Sequence, residues 1–216
     1  MKNIKITILV TILSSIAFIA CSENNIAEPN SNFQTNSGLT KDSILSMPYE
    51  NISPSEQNSL SYMREEEKLA RDVYITLFNK YGIKAFNNIS KSEQTHTDAI
   101  KYIIQKYSLD DPIKNDVIGV FINQDLQNLY NKLIAQSYQS DIEALKVGAL
   151  IEEVDIIDLV KGINEEVDNQ DIKLVYNNLK MGSENHLRAF VKNLSTRGIV
   201  YTPQLLDIDT YNSIVK

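Results

Sequence analysis

The sequence predicts an all-α domain. Four long helices surround one core, and an extra short helix lies in a long crossover between the second and the third. Three observations carry this. Apolar residues recur every three or four positions through four long stretches, the spacing of one helix face. Capping-box sequences stand at the heads of two of them. No segment alternates apolar and polar residues convincingly, as a half-buried strand would, so no sheet is expected.

The first long helix starts at Ser53-Pro54-Ser55-Glu56, with an N-cap serine, proline at the first helical position and glutamate at the third. Leu60, Met63, Glu67, Ala70, Tyr74, Leu77 and Tyr81 then share a stripe that ends near Gly82, and Glu67 interrupts an otherwise apolar or aromatic line. The second helix runs from about Phe86 to Tyr107. Its stripe is Ile89, Glu93, His96, Ile100, Ile103 and Tyr107, and Asp110-Asp111-Pro112 closes the region. A shorter amphipathic helix, about Asn123 to Gln136, carries Leu126, Leu129, Tyr130, Leu133 and Ile134 but no candidate ligand. It reads as part of the crossover.

Ser140-Asp141-Ile142-Glu143 is the second capping box. The third long helix follows, with Leu145, Ala149, Glu152, Ile156 and Leu159 on one stripe and Asp155 one turn past Glu152. The fourth runs from about Gln170 to Leu194, with Gly198 beyond it. Its stripe is Ile172, Val175, Leu179, Gly182, His186 and Ala189, flanked by Phe190. Four long helices with one long connection match a ferritin-like bundle. An up-down-up-down bundle with short loops has no need of the insert.

Outside the bundle the composition changes. Residues 1–21 read as a signal peptide: Lys2 and Lys5 precede the apolar run Ile6–Ile19, too short for a comfortable membrane span. Phe18-Ile19-Ala20-Cys21 resembles a bacterial lipobox, with Phe18 where leucine is commonest, and marks Cys21 as the lipidation site. An ordinary cleaved signal peptide is the alternative. Lipidation implies a protein of the bacterial cell envelope, anchored to a membrane rather than spanning it. Residues 22–52, rich in Asn, Ser, Glu and Thr, read as a flexible tether. The bundle is assigned to 53–198 and a C-terminal tail to 199–216, in which no chemistry is visible.

A formal net charge of −7 argues against a nucleic-acid partner, which requires a basic face. There is no glycine-rich phosphate loop. Cys21 is the only cysteine, so no intrachain disulfide, thiolate metal cluster or core thiol nucleophile is available.

The chemistry lies in the polar residues on apolar stripes. Only two histidines exist, His96 and His186, and each falls on such a stripe. A carboxylate in a bundle core is costly unless paired or metal-bound, and here all four long helices bring a ligand type to the core. Glu93 and His96, three apart, face the same way and can reach one metal. Bland readings stand beside each. Ser90-x-x-Glu93 could be a helix start, and either histidine could be a satisfied core residue. Glu67 sits in the run Glu65-Glu66-Glu67, with Glu66 as its fallback, and Glu153 competes with Glu152. For Tyr74 a packed core tyrosine is the first expectation, with a hydrogen bond to a ligand or a redox role as the alternatives.

Glu67-Lys68-Leu69-Ala70-Arg71-Asp72-Val73-Tyr74 resembles the first-helix motif of rubrerythrin-type ferritin-like proteins, and Phe86-x-x-Ile89-x-x-x-Glu93-x-x-His96 resembles the second. More closely, the chain resembles an uncharacterised bacterial and archaeal ferritin-like family, a domain of unknown function, through LSYMREEEKLARDVY, SEQTH, GALIEEVDIIDL, VYNNL and GSENHLRAF, which span residues 60–190. The resemblance implies a four-helix ferritin-like fold with a di-iron or related carboxylate site. It carries over Glu67, Glu93, His96, Glu152 and His186 as ligands. It departs on the fourth helix, where Glu-x-x-His ending at His186 requires glutamate at 183 and finds Ser183. Asp155 can supply that carboxylate from the third helix, giving a set for two divalent metals, iron in the first place; without it the expectation is one metal, or two bound asymmetrically. Manganese and zinc are alternatives for such donors. Wider-superfamily activities are Fe(II) oxidation, peroxide reduction and oxygen activation, so any enzyme here is a di-iron oxidoreductase of ferroxidase or peroxidase type. Non-catalytic metal binding or storage and an interaction domain are the competing readings. Electrons would come from an unknown donor, because no rubredoxin-like cysteine pairs exist, and a homodimer is left open.

Overall fold

The computed structural model describes residues 39–216, which fall in one compact unit. The leader, Cys21 and residues 22–38 lie outside the described residues. Seven α-helices and no strand are found among the described residues: α1 (Lys41–Ser46), α2 (Pro54–Tyr81), α3 (Lys84–Lys106), α4 (Gln124–Ser137), α5 (Asp141–Lys161), α6 (Gln170–Ser195) and α7 (Ile208–Val215). A π-helical turn, Gly162–Glu166, extends α5. The four long helices are α2, α3, α5 and α6. α2 lies along α3, α5 lies along α6, and the pairs meet through α3–α6 and α2–α5.

Local chemistry explains the helix ends. The Ser53 side chain accepts from Glu56 N–H and Glu56 answers at Ser53 N–H, the reciprocal cap expected. The other oxygen of Glu56 accepts from the N–H groups of Asp168 and Asn169, tying the head of α2 to the head of α6. Gly82 closes α2 in the left-handed region, φ 66°, which glycine adopts without a Cβ penalty. At Ser140 only half the expected box forms: its hydroxyl accepts from Glu143 N–H, while the Glu143 carboxylate turns to Lys146. Ser90 is no helix start. It lies inside α3, its hydroxyl donating to Asn87 O.

The end of the predicted tether is ordered. Thr40 caps α1, Ile44 is buried against the bundle, and Lys106 on α3 donates to the carbonyls of Met47 and Pro48. One amphipathic turn in a polar stretch is too short for periodicity to reveal. The tail also packs. Tyr201, Tyr211 and Ile214 are buried, and Glu153 accepts from Tyr201 OH and from the N–H groups of Gln204, Leu205 and Leu206.

Two apolar clusters make the core. One holds Leu60, Met63, Ile100, Ile103, Leu159, Val175 and Leu179; the other holds Leu69, Tyr74, Phe86, Ile89, Ala149, Leu187 and Phe190. On each long helix the predicted ligands fall between the two, so a polar layer crosses the bundle with apolar packing above and below.

Candidate metal centre

α2, α3, α5 and α6 each deliver buried polar side chains to that layer. Two trios of ligand atoms form, each within 4.8 Å: Glu67, Glu93 and His96, and Glu93, Glu152 and His186. His96 Nδ1 lies 3.2 Å from Glu67 Oε2 and 2.8 Å from Glu93 Oε2. His186 Nδ1 lies 2.8 Å from Glu93 Oε1 and 3.4 Å from Glu152 Oε2. Glu93 is therefore shared, one oxygen turned to each histidine, and the two imidazole rings are 5.5 Å apart between centroids. Both approaches to Glu93 are at ion-pair distance, while Glu67 Oε1 has no hydrogen bond.

The run Glu65-Glu66-Glu67 is buried throughout, where an acidic run is ordinarily solvated. The crossover covers the back of α2, and the three carboxylates face three ways. Glu65 accepts from the N–H groups of Ile122 and Asn123 at the head of α4. Glu67 meets His96. Glu66 lies beside Asp155 and Asp158, and Tyr62 OH reaches it at 3.5 Å. Lys68, also buried, bonds Asp72 and the carbonyls of Val117 and Val120. Glu152 approaches His186, while Glu153 is occupied by the tail.

Asp155 is buried next to this layer but belongs to neither trio. Its Oδ2 accepts from Ser183 Oγ, while Oδ1 has no hydrogen bond. Two further residues shape the site. Tyr74 OH donates to Glu152 Oε1 at 2.5 Å and to Gly148 O at 3.3 Å, so it is both a core tyrosine and a partner of a candidate ligand. Gly182 lies under the His96 ring: a Cβ there would stand 2.5 Å from Nε2. A glycine inside a helical stripe signals such a close approach.

Charge is unbalanced, and protons compensate. Burial raises Glu67 and Glu152 to about 7, against the pull of His96 and His186 respectively. Asp155 stands well above the usual carboxylate range through burial and the charges of Glu67, Glu152 and Glu93. Burial also raises Glu66, with Asp155 and Asp158 adding to it. For Glu93 burial is overcome by His186 and His96, which hold it below its usual range. Burial is likewise overcome at both imidazoles. Glu93 and Glu152 push His186 up to about 10, and Glu67 and Glu93 push His96 well above its ordinary value. Groups that keep protons in a dry layer of acceptors are groups a cation can displace protons from.

Residues 56–216 match the uncharacterized protein domain family DUF2202. The chain belongs to this family. The uncharacterized protein MJ0754 of Methanocaldococcus jannaschii is 54% identical over 172 residues, 80% of this chain and 92% of the relative. The crystal structure of that hypothetical protein superposes with a TM-score of 0.77, covering 79% of this chain and 97% of the other. The DUF2202 match contains both trios, Asp155, Ser183 and the docked tail, whereas α1 and Cys21 precede it.

Proposed function

We propose that this DUF2202 domain is a ferritin-like metalloprotein whose buried carboxylate–histidine layer binds iron. Glu67, Glu93 and His96 would hold one ion, and Glu93, Glu152 and His186 a second, with Asp155 beside them. The shared Glu93 carries the reading: a fully buried carboxylate turns one oxygen to each of two imidazoles and is the common member of both trios. A buried carboxylate–imidazole cluster that protons hold together in the metal-free state is one in which a cation can take their place. Mixed carboxylate and imidazole donors suit iron, with manganese and zinc as competitors. Bound iron would supply redox chemistry with oxygen or peroxide.

The chain's own contribution is orientation and dryness. Tyr74 fixes Glu152, Gly182 lets the Nε2–Cε1 edge of His96 come close to α6, and the apolar layers exclude water. Electrons for turnover come from a separate donor. Elemental analysis of the full chain after reconstitution with Fe(II), followed by oxygen and peroxide consumption, tests both halves. Absence of bound metal overturns the reading. Metal without consumption leaves binding or storage, the second reading.

The leader adds a location: Cys21 would carry the lipid that tethers the domain to a membrane of the cell envelope. Among the described residues no helix is long and apolar enough to cross a membrane. Cys21→Ser should move the protein from the membrane to the soluble fraction; unchanged fractionation overturns the anchor.

A further inference from the structure

Between α3 and α4 the crossover turns through Val117-Ile118-Gly119-Val120-Phe121-Ile122. Val117, Ile118, Val120 and Ile122 are each between 49% and 61% exposed. Phe121 alone of these side chains turns inward, where the Lys68 ammonium lies 4.4 Å from its ring centre. Single surface aliphatics are ordinary, but four within one short turn make a patch, and patches mark contact surfaces. The turn is firmly held from within. Lys68 Nζ donates to the carbonyls of Val117 and Val120, Asp72 accepts from Gly119 N–H, and Glu65 accepts from Ile122 N–H. Gln127 Oε1 accepts from Phe121 N–H, and its Nε2 donates to Gly119 O. Gly119, at φ 76°, passes under the Tyr130 ring, where a Cβ would stand 2.7 Å from a ring carbon. Buried charges of α2 thus hold an irregular segment that displays aliphatic side chains outward.

We infer that this turn is a membrane-docking surface that dips its aliphatic side chains into the interface of a lipid bilayer. Lipid offers the backbone no hydrogen bonds, so a segment that enters it must satisfy its polar groups internally. The bonds to Lys68, Asp72, Glu65 and Gln127 do this. Protein interface cores favour aromatic, Met and Arg side chains, and this patch presents none of them. The charged neighbours along the loop are paired, Lys114 with Asp110 and Asp116 with Arg71. The length of chain before the bundle favours the same occupant. Leu39 packs in the cluster that includes Tyr102 and Leu109, where α3 gives way to the crossover. Seventeen residues, 22–38, separate Leu39 from Cys21. A chain of that length reaches at most about 60 Å, so a lipid on Cys21 keeps the turn at high effective concentration near the bilayer. That proximity rests on the Cys21 reading; the insertion does not.

The chain has no tryptophan, so Ile118→Trp in the full chain is a unique reporter. It is measured in excess phosphatidylcholine vesicles with brominated acyl chains. The expected result is emission shifted to shorter wavelength and quenched by the bromine. Val120→Asp added to the reporter should lower the ratio of docked to undocked protein on the order of tenfold, the worth of one buried aliphatic side chain. Leu174→Trp, exposed on α6 across the bundle from α2, should stay unquenched. An unquenched Ile118→Trp overturns the inference and leaves the turn to a protein partner. Quenching shared by Leu174→Trp, or abolished by raised salt, is unspecific adsorption and overturns it too. So does a blue shift that appears without vesicles and grows with protein concentration, the mark of a second copy. The intact mass of the membrane-extracted chain reports the lipid separately. No lipid with a quenched reporter removes only the anchor, and lipid with an unquenched reporter removes only the docking turn.

Discussion

Ser183 on α6 donates its hydroxyl to Asp155 on α5. The serine stands where a Glu-x-x-His motif ending at His186 needs its carboxylate, and the carboxylate that meets it comes from the neighbouring helix. A short side chain at 183 leaves room for Asp155, one turn past Glu152. The missing acid of one helix is thus matched by an additional acid on the next.

If Asp155 serves the second ion, Asp155→Ala lowers bound metal from two ions to one per chain, while Ser183→Ala keeps both. Ser183→Ala should also destabilise the metal-free protein by about 1–3 kcal/mol, because a buried carboxylate loses its donor. Metal stoichiometry and denaturant melts measure the two effects. Equal stoichiometry in wild type and Asp155→Ala removes Asp155 from the ligand set.

Glu93 belongs to both trios, so its loss should be disproportionate. Glu93→Ala is expected to abolish binding of both ions, whereas Glu152→Ala abolishes only one. The metal-free Glu93→Ala protein should lose about 3–5 kcal/mol, because two protonated imidazoles are left without their common partner. Elemental analysis that shows one ion retained in Glu93→Ala would exclude a shared carboxylate.

Gly182→Ala tests positioning without substituting a ligand. The added methyl would stand 2.5 Å from His96 Nε2 and 2.6 Å from Cε1, so the ring must move. The expected result is a loss of about 1–3 kcal/mol from overpacking, together with weakened metal binding. Unchanged affinity would mean that His96 is not a ligand.

The pH dependence has a definite sign. Glu67 and Glu152, ordinarily near 4.5, are raised to about 7, and His186, ordinarily near 6.5, is raised to about 10. The folded metal-free protein therefore holds more protons than the unfolded chain between pH 5 and 8, and its stability falls as pH rises through that window. Glu93, held below its usual range, loses its contribution only at lower pH. Melts should drop by about 5–10 °C from pH 5.5 to pH 8. Saturating Zn(II) should reverse the slope, since metal displaces those protons and binds better as pH rises. A flat metal-free profile contradicts the proton-filled layer.

Much of this was legible in the sequence. The four long helices follow from apolar spacing and caps, and Glu67, Glu93, His96, Glu152 and His186 occupy the stripe positions that turn inward. Residues whose burial depends on segments distant in the chain were harder to read. Glu65, Lys68 and Asp72 lie on the face of α2 that periodicity assigns to solvent, and the irregular part of the crossover covers them. α1 and the docking of the tail are equally non-local: one rests on α3, the other on the carboxylate of Glu153, on Arg188 of α6, which donates to Ile214 O, and on the buried Tyr201, Tyr211 and Ile214.

By itself the sequence determined which residues face inward and which types they are, because a helix repeats every 3.6 residues and an apolar stripe must find a core. The tertiary structure alone decided which inward residues meet. Rotation of α5 sent Glu152 to His186 and Glu153 to the tail, and the short Ser183 brought Asp155 to α6. Those choices depend on the relative rotation and closeness of packed helices, down to Gly182 beneath His96, and no single helix encodes them.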